Sequence, residues 1–129
     1  MIEAACAIII HQGKILCAQR SETMRHPMKW EFPGGKIEAG ESAEACIIRE
    51  IREELSININ VNQLISESIF DYGNNYQVKL YAFICNLNTE MPVCSEHKQL
   101  QWLKIENLME LDWVEGDYPV IEALKIYTL

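Results

Sequence analysis

The chain has 129 residues, 19 acidic against 11 basic for a formal net charge of −8, with five cysteines and a hydrophobic fraction of 49%. That length suits one domain with a real core, expected to span residues 1–129, and is too short for two. The acidic balance excludes a polyanion such as duplex DNA as partner, because there is no basic stripe to displace counterions. A small anionic substrate fits only if metal ions and a few local arginines neutralise it.

MIEAACAIII at the start lacks the basic segment and small-residue cleavage site of a signal peptide. No apolar run approaches the ~20 residues needed to span a bilayer. The cysteines at 6, 17, 46, 85 and 94 form no Cys-x-x-Cys pair, and all but Cys94 lie in apolar strand or helix patterns. They read as reduced core residues of a cytoplasmic protein.

In chain order, Ala4 to Ile10 and Ile15 to Gln19 are short apolar runs joined by the turn residues His11-Gln12-Gly13-Lys14, which predicts a hairpin. Arg20 closes the second strand, and Ser21 to Pro27 is a polar surface loop. Lys29 to Lys36 leads into a Gly-Gly turn, where Pro33 pushes Phe32 to an extended conformation and a bare carbonyl can face a metal. A helix is predicted from Ser42, capped by Ser42 or Glu41, with Ile47, Ile48, Ile51 and Leu55 facing a core. Ile57, Ile59 and Val61 alternate with asparagines, and a strand continues over Leu64 to Phe70. Asp71 to Asn75 is a turn, and Tyr76 to Cys85 pairs back across it with Val78, Leu80, Ala82 and Ile84 on one face. Met91 to Lys98 is a polar loop, Leu100 to Leu103 a short strand, and Ile105 to Leu111 one or two helical turns. The last helix starts at Asp117-Tyr118-Pro119, capped by Asp117, with Val120, Ile121, Leu124 and Ile126 as its apolar face. Strands, helix, strands and helix again give a mixed sheet flanked by helices.

On the first helix Glu50, Glu53 and Glu54 fall at i, i+3 and i+4 and share one face. At ~6 Å and an effective dielectric of ~20, each pair of charges repels by about 3 kcal/mol before screening. Such a ridge is either a solvated face or a holder of divalent cations. Its wider spacing is more specific. Gly35, five residues, Glu41, seven residues, and then Arg49-Glu50-Ile51-x-Glu53-Glu54-x-Ser56-Ile57 resembles the signature of the Nudix hydrolases. Only the final glycine departs from that pattern, being Ser56 here. Serine in a left-handed C-terminal position would cost about 1 kcal/mol or more, so either the backbone differs locally or Asn58 takes that role.

The resemblance implies an α/β fold, the Nudix α/β/α sandwich with a mixed central β-sheet. It implies Mg²⁺, with Mn²⁺ as a substitute, held by Glu50, Glu53, Glu54, the Gly34 carbonyl and the loop acid Glu96, which stands six residues before Trp102. In MutT-type members water attacks a nucleoside triphosphate and releases the monophosphate and pyrophosphate. The expected catalytic residues are Glu50 as base, with Glu53 or Glu96 as rivals, and Arg49 orienting Glu53, while Glu41 is structural. The expected substrate contacts are Arg20, eleven residues before Glu31, then Glu31 itself, Tyr76 where relatives carry arginine, and Asp117 as reader of a cytosine or oxidised-purine edge. His11, His26 and His97 lack metal-ligand spacing and read as surface residues. The partner implied is a small nucleoside triphosphate, with no nucleic acid polymer and no membrane, bound by a monomer or homodimer. Two alternatives stay open: a nucleotide-sensing module without turnover, and a hydrolase of another nucleoside diphosphate derivative.

Overall fold

Strand β1 (Ile2–His11) is buried on both faces from Ala5 to Ile9, which places it inside a sheet rather than at its edge. In the computed structural model, which describes residues 1–88 and 90–127, it lies parallel to β6 (Gln77–Leu87), from Ile2 opposite Val78 to Ile10 opposite Asn86. A tight turn with Gln12 and Gly13 at φ 53° and 77° returns the chain as β2 (Lys14–Gln19), the geometry a two-residue hairpin demands. β2 then pairs with β3 (Trp30–Glu31) and β7 (Gln99–Leu103). β4 (Gly34–Lys36) runs antiparallel to the first half of β1, and β5 (Ile59–Asp71) forms the far edge against β6. The order β3-β2-β1-β6-β5, with β4 and β7 attached, is a mixed sheet. The expected span of 1–129 takes in residues 89, 128 and 129, which lie outside the described residues.

Helix α1 (Ala43–Leu55) covers one face of the sheet. Cys46, Ile47, Ile51 and Leu55 pack on Ala5, Ala7, Ile9, Leu16, Phe83 and Cys85. Helix α2 (Tyr118–Ile126) covers the other, placing Val120, Ile121 and Leu124 against Cys6, Ile8, Ile15, Cys17 and Ile84. Each fully buried aliphatic side chain contributes about 1.5–3 kcal/mol. The result is the expected α/β/α sandwich. No helix of the described residues is long and apolar enough to cross a membrane.

Ser42 caps α1 as the sequence indicates, its Oγ accepting the Ala45 N–H at 3.1 Å, an interaction of about 1 kcal/mol. Four local expectations change. Ser56 takes the left-handed conformation itself, at φ 58° and ψ 34°, and donates its N–H to the Arg52 carbonyl at 3.1 Å. Asn58 is not left-handed; its Oδ1 instead accepts from Arg52 Nε and Nη2, at 2.9 and 2.7 Å. Asp117 makes no side-chain cap on α2, because its carboxylate is drawn elsewhere. Ile126 is 85% exposed, because two residues past Leu124 the helix has turned about 200° away from its inward face; Ile48, half-buried, does pack against the α1 core as expected.

Candidate active site

The site is built where β4, α1 and two loops converge on the end of β1. Gly35 is opposite Ala5 in the β4–β1 ladder, and its missing side chain is what admits Glu50. A Cβ there would stand 2.4 Å from the Glu50 carboxyl carbon and 2.5 and 2.6 Å from its oxygens. The second glycine answers to the backbone, since a Cβ on Gly34 would meet the Ala5 carbonyl oxygen at 2.0 Å.

Glu50, Glu53 and Glu54 leave α1 into a recess of about 170 Å³ that also receives Arg20, Glu31, Gly34, Glu96 and His97. All five residues expected to hold metal therefore border one space. Their surroundings differ, with Glu53 and Glu96 exposed, Glu50 half-buried and Glu54 buried. Burial first, and then the charges of Glu31, Glu50 and Glu96, push the Glu54 carboxyl up to about 10. Its Oε2 is buried with no hydrogen-bond partner among the described residues. A carboxylate crowded by three others and left without a donor is the environment a divalent cation relieves, and the oxygen-rich donor set suits a hard ion. The residues present fit such an ion.

Arg49 does more than orient Glu53. It grips Glu41 with Nε and Nη2, at 2.7 and 2.9 Å, and reaches Glu50 Oε1 at 3.0 Å and Glu53 Oε2 at 3.3 Å with Nη1. Glu41 also accepts the Glu38 N–H at 3.0 Å, and Arg49 above all holds its carboxyl down at about 2. Glu41 thus anchors the arginine from outside the recess, while the arginine steadies two ridge carboxylates.

A second cleft of about 220 Å³ adjoins the recess and shares Arg20, Glu31 and Gly34 with it. Cys6, Phe32, Val78 and Leu80 contribute its apolar lining, and Tyr72, Tyr76 and Asp117 also border it. The four expected substrate contacts, Arg20, Glu31, Tyr76 and Asp117, all line it. Arg20 is committed at two points: Nη1 binds Glu31 Oε1 at 2.8 Å, and Nε donates to the Arg25 carbonyl. Asp117 reaches the cleft because residues 112–114 run beside β3, tied by Trp30 N–H to Asp112 O at 2.8 Å and Val114 N–H to Trp30 O at 2.9 Å. Its Oδ2 then accepts the Phe32 N–H at 3.1 Å, which is why it does not cap α2. Burial, and then Glu31, push the Asp117 carboxyl well up, against the opposing pull of Phe32 N–H and Arg20.

Two features of the mouth escape a reading of the sequence. Arg25 lies over the Tyr76 ring, 3.7 Å from its centroid, and His26 stacks on Tyr72 at 4.9 Å. Burial first, then Arg20, Arg25 and Lys29, hold His26 below its ordinary range, so this end of an acidic protein is locally cationic. His97 is the larger correction. It is buried, at 7% exposure, with Nε2 2.8 Å from Glu31 Oε2, and Glu31, Glu54 and His97 present ligand atoms within 4.8 Å of one another. His11 is partly covered by Trp102, with ring centroids 5.8 Å apart. The adjacency of His97 to Glu96 in a loop is the one sequence signal that could have placed it.

The buried cysteines offer no nucleophile. Burial raises the thiols of Cys17, Cys46 and Cys85 to about 12 and that of Cys6 well above its ordinary range. A larger open groove, about 920 Å³, runs over Phe70, Trp113, Tyr118 and Pro119. It holds none of the expected site residues, and its size does not make it the site.

Comparison with known proteins agrees with this fold. The CTP pyrophosphohydrolase of Escherichia coli is 33% identical over 123 residues, 95% of this chain and 90% of that one. The 8-oxo-dGTP diphosphatase of the same organism is 27% identical over 125 residues, 96% of each chain. The solution structure of the DNA mismatch repair protein MutT, a Nudix hydrolase from methicillin-resistant Staphylococcus aureus, is 42% identical and superposes with a TM-score of 0.77, covering 94% of this chain and 92% of that one. The NUDIX domain family itself matches residues 1–124, and the chain belongs to it.

Proposed function

We propose that this chain is a divalent-metal-dependent nucleoside-triphosphate pyrophosphohydrolase of the MutT kind. In this reading a single Nudix domain releases a nucleoside monophosphate and pyrophosphate in the cytoplasm, clearing oxidised purine or cytidine nucleotides from the pool. The observation that carries it is the shared wall of Arg20, Glu31 and Gly34 between an acidic recess and a cleft sized for a nucleotide's base and sugar. A triphosphate bridging the two would set its base beside Asp117 and its phosphates beside Arg20 and the α1 carboxylates.

Glu50, Glu53, Glu54, Glu96 and the Gly34 carbonyl would hold Mg²⁺. When bound, the ion supplies charge neutralisation at the phosphate oxygens. The chain's own groups do the rest. Glu50, braced by Arg49 and fitted against Gly35, takes the proton of the attacking water, with Glu53 and Glu96 as the competing assignments. Arg20 turns the part of its guanidinium not spent on Glu31 and Arg25 toward a phosphate. Val78 and Leu80 exclude water from one side of the base. Burial favours the neutral form of the Asp117 carboxyl, and in that form it would offer an O–H donor as well as an acceptor, a pair that complements cytosine or an oxidised purine. The relatives named for CTP and for 8-oxo-dGTP support the same two classes.

The test is a kinetic screen of 8-oxo-dGTP, dGTP, CTP, dCTP and 5-methyl-dCTP with Mg²⁺, detecting pyrophosphate. Turnover with stoichiometric pyrophosphate, abolished by EDTA, is expected. Orthophosphate alone, or calorimetric binding without turnover, would defeat the reading.

A further inference from the structure

His97 sits buried in the wall of the recess, against the Glu31 that recess and cleft share, yet nothing in the proposed chemistry uses its imidazole. Its backbone is fixed. Lys98 N–H donates to the Gln19 carbonyl at 2.9 Å, one residue from Arg20, and Cys94 Sγ donates to the His97 carbonyl at 3.2 Å. The ring's Nε2 lies 2.8 Å from Glu31 Oε2 and 3.8 Å from Glu54 Oε1, the second too long for a hydrogen bond. Nδ1 is buried with no partner among the described residues. Geometry therefore assigns the ring proton to Nε2. On Nδ1 it would be an orphaned donor, and Glu31 would face a bare lone pair. Glu31 then divides its oxygens, Oε1 on Arg20 Nη1 at 2.8 Å and Oε2 on the imidazole.

We propose that His97 is a positioning residue that pins Glu31 by its Nε2–H, keeping that carboxylate on Arg20 and out of the space around Glu54. Glu31 stands between two attractions, the guanidinium on one side and any cation in the recess on the other. With the imidazole in place its second oxygen is engaged, so Arg20 keeps a fixed partner and Glu54 keeps an unpaired oxygen. Without it, the carboxylate is free to turn toward the recess and the arginine loses its brace. The inference rests on the triphosphate reading, since it assigns His97 to the phosphate arm rather than to the base or the water.

The test compares His97→Gln, His97→Asn and His97→Ala. Glutamine carries its amide nitrogen where the ring has Nε2, and asparagine carries it where the ring has Nδ1. With the triphosphate that the wild type turns over best, His97→Gln should stay within about threefold of wild type in KM. His97→Asn and His97→Ala should raise KM about tenfold or more, with kcat changed less than about threefold, because the loss is of substrate binding alone. Affinity for Mn²⁺ without nucleotide, read by electron paramagnetic resonance, should weaken in none of the three and should tighten in His97→Asn and His97→Ala, where Glu31 is released toward the recess. Urea unfolding checks each variant, and should His97→Ala not fold, the Gln and Asn pair carries the comparison. Indistinguishable Gln and Asn variants, or a loss confined to kcat, would overturn the inference while leaving the functional reading intact. Nitrogen coupling to bound Mn²⁺ in the wild type, lost with weaker binding in the variants, would overturn it too, by making His97 a ligand. A wild type that turns over no triphosphate would sink both.

Discussion

Replacing Gly35 by alanine puts one methyl group where the structure has room for none. The new Cβ would lie 2.4–2.6 Å from the three atoms of the Glu50 carboxyl group. Non-bonded heavy atoms settle at about 3.5 Å, so the carboxylate must retreat by roughly 1 Å. The backbone at Gly35 is not left-handed and its ladder to Ala5 can survive, so the strain falls on the mobile end of Glu50. Retreat weakens the 3.0 Å contact with Arg49, a half-exposed pair whose loss costs about 1 kcal/mol of stability or less. Its catalytic consequence is larger. Displacing a working group by about 1 Å lowers turnover about 10²-fold, or roughly 2.7 kcal/mol of barrier. Pyrophosphate release at saturating substrate measures kcat, and urea unfolding measures stability on the same preparations. A kcat within about threefold of wild type would show that the Gly35–Glu50 approach does not hold a working carboxylate. A collapse of the unfolding midpoint would place the strain in β4 and refute the reasoning from the other side.

Ser56→Gly should stabilise the fold by about 1 kcal/mol, raising Tm by about 3–5 °C, because serine holds a left-handed φ of 58° that glycine adopts freely; calorimetry checks it, and an unchanged or lower Tm would mean that serine's own contacts offset the strain. Glu53→Gln should cut kcat by about 10²-fold or more with Tm unchanged within about 1 °C, since this carboxylate is exposed and, among the described residues, pairs with Arg49 alone; substantial residual turnover would remove Glu53 from the site. Glu41 is held at about 2 by Arg49, so its contribution is complete above the unfolded value near 4.5 and disappears as pH falls toward 2. Urea midpoints between pH 7 and pH 2.5 should therefore fall less steeply for Glu41→Gln than for wild type, and parallel curves would mean that the ion pair does not couple to folding.

The ridge of Glu50, Glu53 and Glu54 was legible because helical periodicity alone sets which residues share a face, and the Ser42 cap was legible because capping is local chemistry. The hairpin at Gln12-Gly13 is of the same kind. What escaped was decided by partners far along the chain. Asp117 looks like a cap by its neighbours, but an N–H at Phe32, 85 residues away, draws its carboxylate into the cleft. His97 looks like a surface residue in a polar loop until Lys98 docks on Gln19 and buries the ring against Glu31. At Ser56 the rule for the position was correct and the residue departs from it, bearing the conformation that glycine would take without cost. Arg25 over Tyr76 joins two loops whose approach no local pattern encodes.

The two hollows meet along Arg20, Glu31 and Gly34, while Tyr76 and Asp117 border only the cleft and not the recess. If those two residues read the base as proposed, substitutions there touch none of the α1 carboxylates, and changes at separated positions combine nearly additively. On the proposed function, a lineage built on this plan would drift from one nucleobase to another by single steps, each intermediate keeping the α1 carboxylates. On the same reading the common partition has less freedom, since Arg20, Glu31 and Gly34 border both hollows.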